Sequence, residues 1–263
     1  MKVIIVGGVA GGASCAARLR RLDEKAEILM VERGPYVSYA NCGLPYHVGD
    51  VIEEESSLLV ASEQLFREHF AIDVRTGCEA VEILPKAKQI RLRDVKTGEV
   101  STHGYDKLVL SPGATSVRPP LPGIDLPGIF HVRTVPDARE IRRWIERGTA
   151  FLSGMDKYSG FQTVRPKTRA VVVGGGFIGL EMVENLVHRG FDVTLVELSD
   201  QVLPPIDPEN ARVVEAHLAR HDVHLALGDG VAAFEQDAGG TIAVHTKSGK
   251  VHPADVVILA LGV

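Results

Sequence analysis

The stretch Ser38-Tyr39-Ala40-Asn41-Cys42-Gly43-Leu44-Pro45-Tyr46 sets one cysteine between two glycine-rich turns. The first turn, Gly7-Gly8-Val9-Ala10-Gly11-Gly12, follows the apolar run Val3-Ile4-Ile5-Val6. The second, Gly174-Gly175-Gly176-Phe177-Ile178-Gly179, follows Ala170-Val171-Val172-Val173. Glycines so spaced let the backbone turn sharply and approach a pyrophosphate, while the next helix offers its N-terminal amides to the phosphates. Two such turns imply two dinucleotides. A cysteine beyond the first implies electrons passing from one dinucleotide through another to sulfur, which is redox chemistry.

The second turn satisfies G-x-G-x-x-G at Gly174, Gly176 and Gly179, and Glu197 follows Gly179 by 18 residues. That is where a carboxylate holds a ribose 2′-hydroxyl. A carboxylate there repels a 2′-phosphate and no arginine adjoins it, so NADH is expected, with NADPH possible. In the first turn Gly7 and Gly12 are in place, Val9 takes the middle position, and Glu32 ends the next strand. Cys42 precedes Gly43-Leu44-Pro45, and proline favours a first helical turn. A thiol at a helix N-terminus has its thiolate stabilised by the dipole and free amides. No second cysteine lies within five residues, which excludes a local C-x-x-x-x-C pair. The sulfur must then form a mixed disulfide with its substrate or pass through a sulfenic acid. Cys15, in the small-residue run Ala13–Ala17, and Cys78, in a strand-like context, read as structural.

Strands alternate with helical patterns along the chain, as parallel α/β architecture requires. Strands are expected at 2–6, 27–32, 72–74, 80–84, 89–93, 99–102 and 105–110, the last buried, with helices at 11–22 and 62–69. The Pro/Gly-rich passage Pro119-Pro120-Leu121-Pro122-Gly123 marks the change from a first dinucleotide-binding domain (1–114) to a second (115–263). A helix is expected at 135–147, then an irregular surface insertion at 149–167. The pattern then repeats: a strand at 170–173, a glycine turn, a helix to 188 and a strand at 192–196. A helix at 207–220, strand-like segments at 223–226, 230–236 and 241–246, and a buried strand at 255–261 complete it. Repetition of one βαβ pattern is a stronger signal than either copy.

A chain of 263 residues with 45% apolar and 24% charged residues can build two modest cores. A formal charge of −5 and the lack of a basic face argue against a nucleic-acid partner. No apolar run reaches membrane-span length and no secretory pattern opens the chain, so the cytoplasm is the expected location. Three scattered cysteines support neither a disulfide scaffold nor a metal site.

Residues 7–17, 38–46, 110–114 and 174–181 together resemble the pyridine nucleotide–disulfide oxidoreductases with one active-site cysteine. Within that family they are most similar to the branch acting on coenzyme A disulfide or coenzyme A persulfide. The resemblance implies two successive Rossmann-like domains of three-layer ββα form, with FAD on the first and NAD(P)H on the second. It implies a catalytic Cys42 and a cofactor set of Gly7, Val9, Ala10, Gly11, Gly12, Glu32, Arg33, Asn41, Val81, Ser111, Pro112, Gly113, Ala114 and Gly262. Gly174, Gly176, Phe177, Ile178, Gly179, Glu181 and Glu197 belong to that set too. In this scheme Phe177 shields the flavin, Glu181 lies near flavin and nicotinamide, and Ser38 and Asn41 line the substrate pocket. Ser14, Arg18 and Arg21 fall on one helix face, with Ala16, Leu19 and Leu22 expected to pack. By residues alone that face reads equally as a solvated basic surface; the resemblance assigns it to the phosphorylated ADP part of coenzyme A.

An NADH oxidase or peroxidase cycling through a sulfenic acid is the nearest rival, disfavoured because peroxidase relatives carry histidine where Ala10 stands. The other rival is a catalytically weak nucleotide-binding fragment. Relatives continue beyond Val263 with the second half of the FAD domain and a dimerisation domain. Both are expected to be missing from this chain, and a homodimer is expected for the full-length parent.

Overall fold

Strands buried on both faces need apolar residues at consecutive positions, and Val3–Val6 and Ala170–Val173 supply them. The computed structural model describes the backbone of residues 1–155 and 168–263 and, except for 148–155, their side chains. In chain order the first elements are β1 (Lys2–Val6), α1 (Gly11–Leu22), β2 (Glu27–Val31), α2 (Leu44–Val48), α3 (Glu63–Phe70), β3 (Asp73–Arg75) and β4 (Cys78–Leu84). Next come β5 (Gln89–Asp94), β6 (Val100–Gly104), β7 (Lys107–Leu110), β8 (Ile129–His131), α4 (Val135–Met155), β9 (Arg169–Val173) and α5 (Phe177–His188). The last are β10 (Asp192–Val196), α6 (Pro208–Arg220), β11 (His224–Ala226), β12 (Val231–Gln236), β13 (Ile242–Thr246), β14 (Val251–Ala254) and β15 (Val256–Leu259).

These form two units, Met1–Ala40 with Ser56–Ala114, and Asn41–Glu55 with Thr115–Val263. The first holds a parallel sheet in the order β3-β2-β1-β7 and an antiparallel sheet β4-β5-β6. Val3 and Ile5 pack with Ala13, Ala16 and Phe66 on the helical side. Ile4 and Val6 pack with Ile90 and Leu92 on the other. Strand alternation therefore builds three layers, ββα, from one continuous apolar run. The second unit repeats the plan with a parallel sheet β11-β10-β9-β15-β8 and an antiparallel sheet β12-β13-β14. There Val171, Val173, Val257 and Leu259 join Phe234, Ile242 and Val244 in one core.

Register decides where the chemistry sits. Val6 lies opposite Val31 and Leu110, so Gly7, Glu32 and Ser111 all leave the first sheet at its C-terminal edge. Val173 lies opposite Val196 and Leu259, and Gly174, Glu197 and Ala260 do the same in the second. Ligands of open parallel sheets bind at that edge, where the strand order reverses.

Several expectations need correction. β7 is not a buried strand: no residue of it is fully buried, because it forms the edge of its sheet. Leu22 is 67% exposed and does not pack, whereas Leu19 and Ala16 do. α4 runs to Met155 rather than ending at Arg147, so the first part of the expected insertion continues that helix. Residues 156–167 of it lie outside the described residues. β14 went unforeseen because Pro253 demotes a strand, which is tolerated here at a sheet edge. β8, also an edge strand, has only three residues. No described helix is long and apolar enough to cross a membrane.

Segment 41–55 belongs to the second unit although it interrupts the first in sequence. A 3-10 turn, Asn41–Gly43, leads into α2, which packs on α4 and α5. Gly49 has no space for a side chain: a Cβ there would stand 2.0 Å from Asn185 Oδ1. Gly49→Ala is therefore expected to lower the denaturant midpoint by an amount equivalent to about 1–3 kcal/mol. An unchanged midpoint in equilibrium unfolding would show that α2 does not need this close approach.

Candidate active site

The two glycine turns are built by one set of bonds used twice. In the first, Gly8 N donates to Glu32 Oε2 at 2.8 Å and Gly34 N to Glu32 Oε1 at 2.8 Å. In the second, Gly175 N donates to Glu197 Oε2 at 2.5 Å and Ser199 N to Glu197 Oε1 at 2.7 Å. Each carboxylate thus ties the turn to the end of the neighbouring strand. Each oxygen keeps a further lone pair for a ribose hydroxyl.

The same glycines are indispensable in both copies. Gly7 and Gly174 have φ of +93° and +108°, which side chains rarely adopt. A Cβ on Gly12 would sit 1.7 Å from Gly7 O, and one on Gly179 would sit 1.9 Å from Gly174 O. Ser111 and Ala260 correspond as well: Ser111 N donates to Val6 O and Ala260 N to Val173 O, each at 2.7 Å. Gly113 and Gly262 then follow with φ of +71° and +97°.

α1 and α5 begin without a side-chain cap and without an acidic residue in the first turn. By contrast α3 is capped by Ser62 and starts with Glu63, and α6 has Glu209 in its first turn. Amides left unpaired at the ends of glycine turns suit a phosphate, and acids there would repel one. The residues present therefore fit a dinucleotide at each turn. At the second, Phe177 is 65% exposed. Together with Glu181 and Glu184 it walls a cavity of ≈ 570 Å³ that runs to His217 and Leu218 of α6.

Cys42 is an exposed free thiol in the turn that precedes α2. α2 spans five residues with Gly43 as N-cap and Pro45 in its first turn, so its dipole is that of little more than one turn. Tyr46 stands one turn beyond Cys42. The Glu184 carboxylate, then burial, Glu181 and the Cys42 sulfur hold the Tyr46 phenol above its ordinary value. Burial, with Glu184 adding to it, also pushes the Glu181 carboxyl above the usual carboxylate range. Both shifts favour the neutral forms of these groups. Cys15 and Cys78 are half-buried and pack against the two cores of the first unit. Burial raises the Cys78 thiol.

Other residues singled out from the sequence fall as follows. Ser14, Arg18 and Arg21 are all exposed on α1, and neither arginine has a partner among the described residues. Arg20 is instead consumed locally, donating to Phe70 O at 2.7 Å, Glu24 O at 2.7 Å and Ala71 O at 2.8 Å. Ser38 belongs to the first unit, at a left-handed φ of 46°, and its N–H donates to Gly8 O at 2.9 Å. Asn41 stands beside Cys42 in the second unit. Ala10 is the N-cap of α1, and Val9 next to it is half-buried. Pro112 to Ala114 are exposed beyond β7, and Ile178 is half-buried in α5. Arg33 is mostly exposed, 3.8 Å from Glu79, and Val81 lies on β4, 41% exposed. Sequence reasoning assigned no role to Tyr46, Asp50, Arg142, Glu184 or Arg189. Tyr46 and Glu184 carried a legible signal only in their spacing from Cys42 and Glu181.

The model of the pyridine nucleotide-disulphide oxidoreductases matches residues 1–263. The chain belongs to that family. A coenzyme A disulfide reductase of Staphylococcus haemolyticus is 33% identical over 261 residues, covering 99% of this chain and 54% of the relative. Reduced CoADR-RHD of Bacillus anthracis superposes with a TM-score of 0.89 at 46% identity, covering 99% of this chain and 43% of the other. A NAD-dependent persulfide reductase of A. fulgidus gives 0.88 at 34% identity, covering 100% of this chain and 45% of the other. The water-forming NADH oxidase of Lactobacillus brevis gives 0.87 at 26%, covering 100% and 54%. The chain thus spans about half the length of these relatives.

Exposure and burial rank the three thiols. Peptide-resolved alkylation with iodoacetamide at neutral pH is expected to modify Cys42 about tenfold faster than Cys15 or Cys78. Equal labelling of all three would remove the basis for singling out Cys42.

Proposed function

We propose that this chain is the nucleotide-binding part of an FAD-dependent NADH oxidoreductase that reduces coenzyme A disulfide or coenzyme A persulfide through Cys42. The observation that carries this reading is the exposed Cys42 thiol, one turn before Tyr46, in a chain whose two glycine turns are built by the same bonds. The relatives named for coenzyme A disulfide and persulfide support the choice of substrate. FAD, held by Gly7–Gly12, Glu32 and Ser111–Ala114, supplies the two-electron relay between NADH and sulfur when bound.

The Cys42 thiolate attacks one sulfur of the disulfide. A Cys42–coenzyme A bond forms, the coenzyme A S–S bond breaks, and the first coenzyme A leaves as a thiolate that takes a proton. Two electrons from NADH then cleave the mixed disulfide, freeing the second coenzyme A thiol and restoring Cys42. The sum is NADH, H⁺ and disulfide giving NAD⁺ and two thiols. With a persulfide the same thiolate removes the sulfane sulfur, and the products are one thiol, hydrogen sulfide and NAD⁺. Tyr46, kept neutral by its anionic neighbours, offers a hydrogen bond to sulfur. Arg18 and Arg21, left unpaired beside Ser14, offer charge to the ADP phosphates of coenzyme A.

Cys42→Ser in the FAD-loaded enzyme is expected to abolish disulfide-dependent NADH oxidation by about a thousandfold or more while flavin content stays intact. Comparing coenzyme A disulfide, coenzyme A persulfide, peroxide and oxygen as acceptors tests the substrate. Faster NADH consumption with peroxide or oxygen would favour sulfenic-acid chemistry instead.

Glu197 sets the nucleotide preference. Its buried carboxylate would meet a 2′-phosphate with like charge, and Leu198-Ser199-Asp200 adds no cation. kcat/KM is expected to favour NADH over NADPH by about tenfold or more. A steady-state ratio favouring NADPH would overturn that assignment.

A further inference from the structure

Helix α2 is too short to hold its own shape, since isolated helices below about 12 residues are marginal in water. It is also bracketed by Gly43 and Gly49. Its geometry, and with it the place of Cys42, has to come from outside. Two guanidinium groups converge on its C-terminal end. Arg142 Nη1 donates to His47 O at 3.0 Å and Glu53 O at 3.1 Å, and Arg142 Nη2 pairs with Asp50 Oδ1 at 2.6 Å. Arg189 Nη1 donates to Val48 O at 2.9 Å, and its Nη2 lies 3.3 Å from Asp50 Oδ2. Arg189 thereby gives Val48 O a partner, while His47 O, which also accepts from Asp50 N at 3.3 Å, gains a second donor in Arg142.

The arrangement is specific to α2. The Arg142 and Arg189 side chains are only 18% and 13% exposed and both pair with Asp50, while Arg142 Nε also lies 3.7 Å from Glu146 Oε1. Asp50 itself sits at a left-handed φ of 63°, which aspartate and asparagine tolerate better than most residues. Arg139 fastens the exit of the segment, its Nε and Nη2 each 2.6 Å from the Glu55 carboxylate. None of these contacts reaches Gly174–Gly179 or Glu197, which are held by bonds of their own.

We propose that Arg142 and Arg189, joined on Asp50, are positioning residues for Cys42: they clamp the far end of α2 and so fix where its leading turn presents the sulfur. The inference rests on Cys42 being the nucleophile of the proposed reaction. Because the clamp leaves the nucleotide turn alone, it governs thiol chemistry and not nucleotide binding. A misplaced nucleophile costs rate steeply, whereas a nucleotide turn intact elsewhere keeps its affinity.

The test uses two variants of the FAD-loaded enzyme. Asp50→Asn keeps the left-handed backbone and removes the shared charge. Arg142→Lys keeps a cation but loses the planar fork that reaches two carbonyls and a carboxylate at once. For Asp50→Asn, kcat with coenzyme A disulfide is expected to fall about ten- to a hundredfold, with a smaller loss for Arg142→Lys. KM for NADH and NADH–ferricyanide turnover, which bypasses the thiol, should stay within about twofold. Hydrogen–deuterium exchange should rise in peptides covering 41–55 and not in those covering 170–180. Unchanged disulfide kcat in both variants would overturn the proposal, with or without faster exchange. So would parallel loss of ferricyanide turnover, which would mark the clamp as merely structural. Cys42→Ser separates the two ideas: if it keeps disulfide turnover the nucleophile assignment fails, while exchange in 41–55 still reports on the clamp.

Discussion

Two carboxylates hold this structure to its chemistry. Glu32 and Glu197 each accept one N–H from the second residue of a glycine turn and one from the residue two places beyond themselves. A glycine turn whose amides face outward cannot bond to itself. The carboxylate supplies the missing restraint from the adjacent strand. It does so with lone pairs to spare, so one side chain braces the turn and keeps free acceptors at the C-terminal edge of the sheet. The glycines complete the device, since Gly12 and Gly179 let helix and turn meet at distances no side chain allows.

Around that device the two units differ in what they add. The first leaves Ser14, Arg18 and Arg21 exposed on α1 while Arg20 is spent on the carbonyls of Phe70 and Ala71. The second takes in a segment from outside its own sequence range and places Cys42, Tyr46, Glu181 and Glu184 in one neighbourhood. Glu184 and burial raise both the Tyr46 phenol and the Glu181 carboxyl above their ordinary values.

Much of the fold was legible in the order of residues, for local reasons. The runs at β1 and β9 are apolar at consecutive positions, which only strands buried on both faces demand. The turns announce themselves because Gly7 and Gly174 need a positive φ. What failed was whatever depended on neighbours distant in sequence. β7 looked buried by composition but sits at an edge. Leu22 continued a helical pattern yet faces outward. β14 was hidden by Pro253, acceptable only because no further strand needs its N–H.

The sequence by itself determined the repeated strand–turn–helix plan, the two carboxylates that close it and the Cys42 motif at 38–46 between the copies. These are set by backbone sterics, side-chain volume and spacing along one segment. The tertiary structure alone decided that residues 41–55 join the second unit and that Asp50 is shared by Arg142 and Arg189. Those partners lie about 90 and 140 residues along the chain, where no local pattern operates. Only folding brings Arg142 of α4 and Arg189 at the end of α5 to the C-terminal end of a short helix.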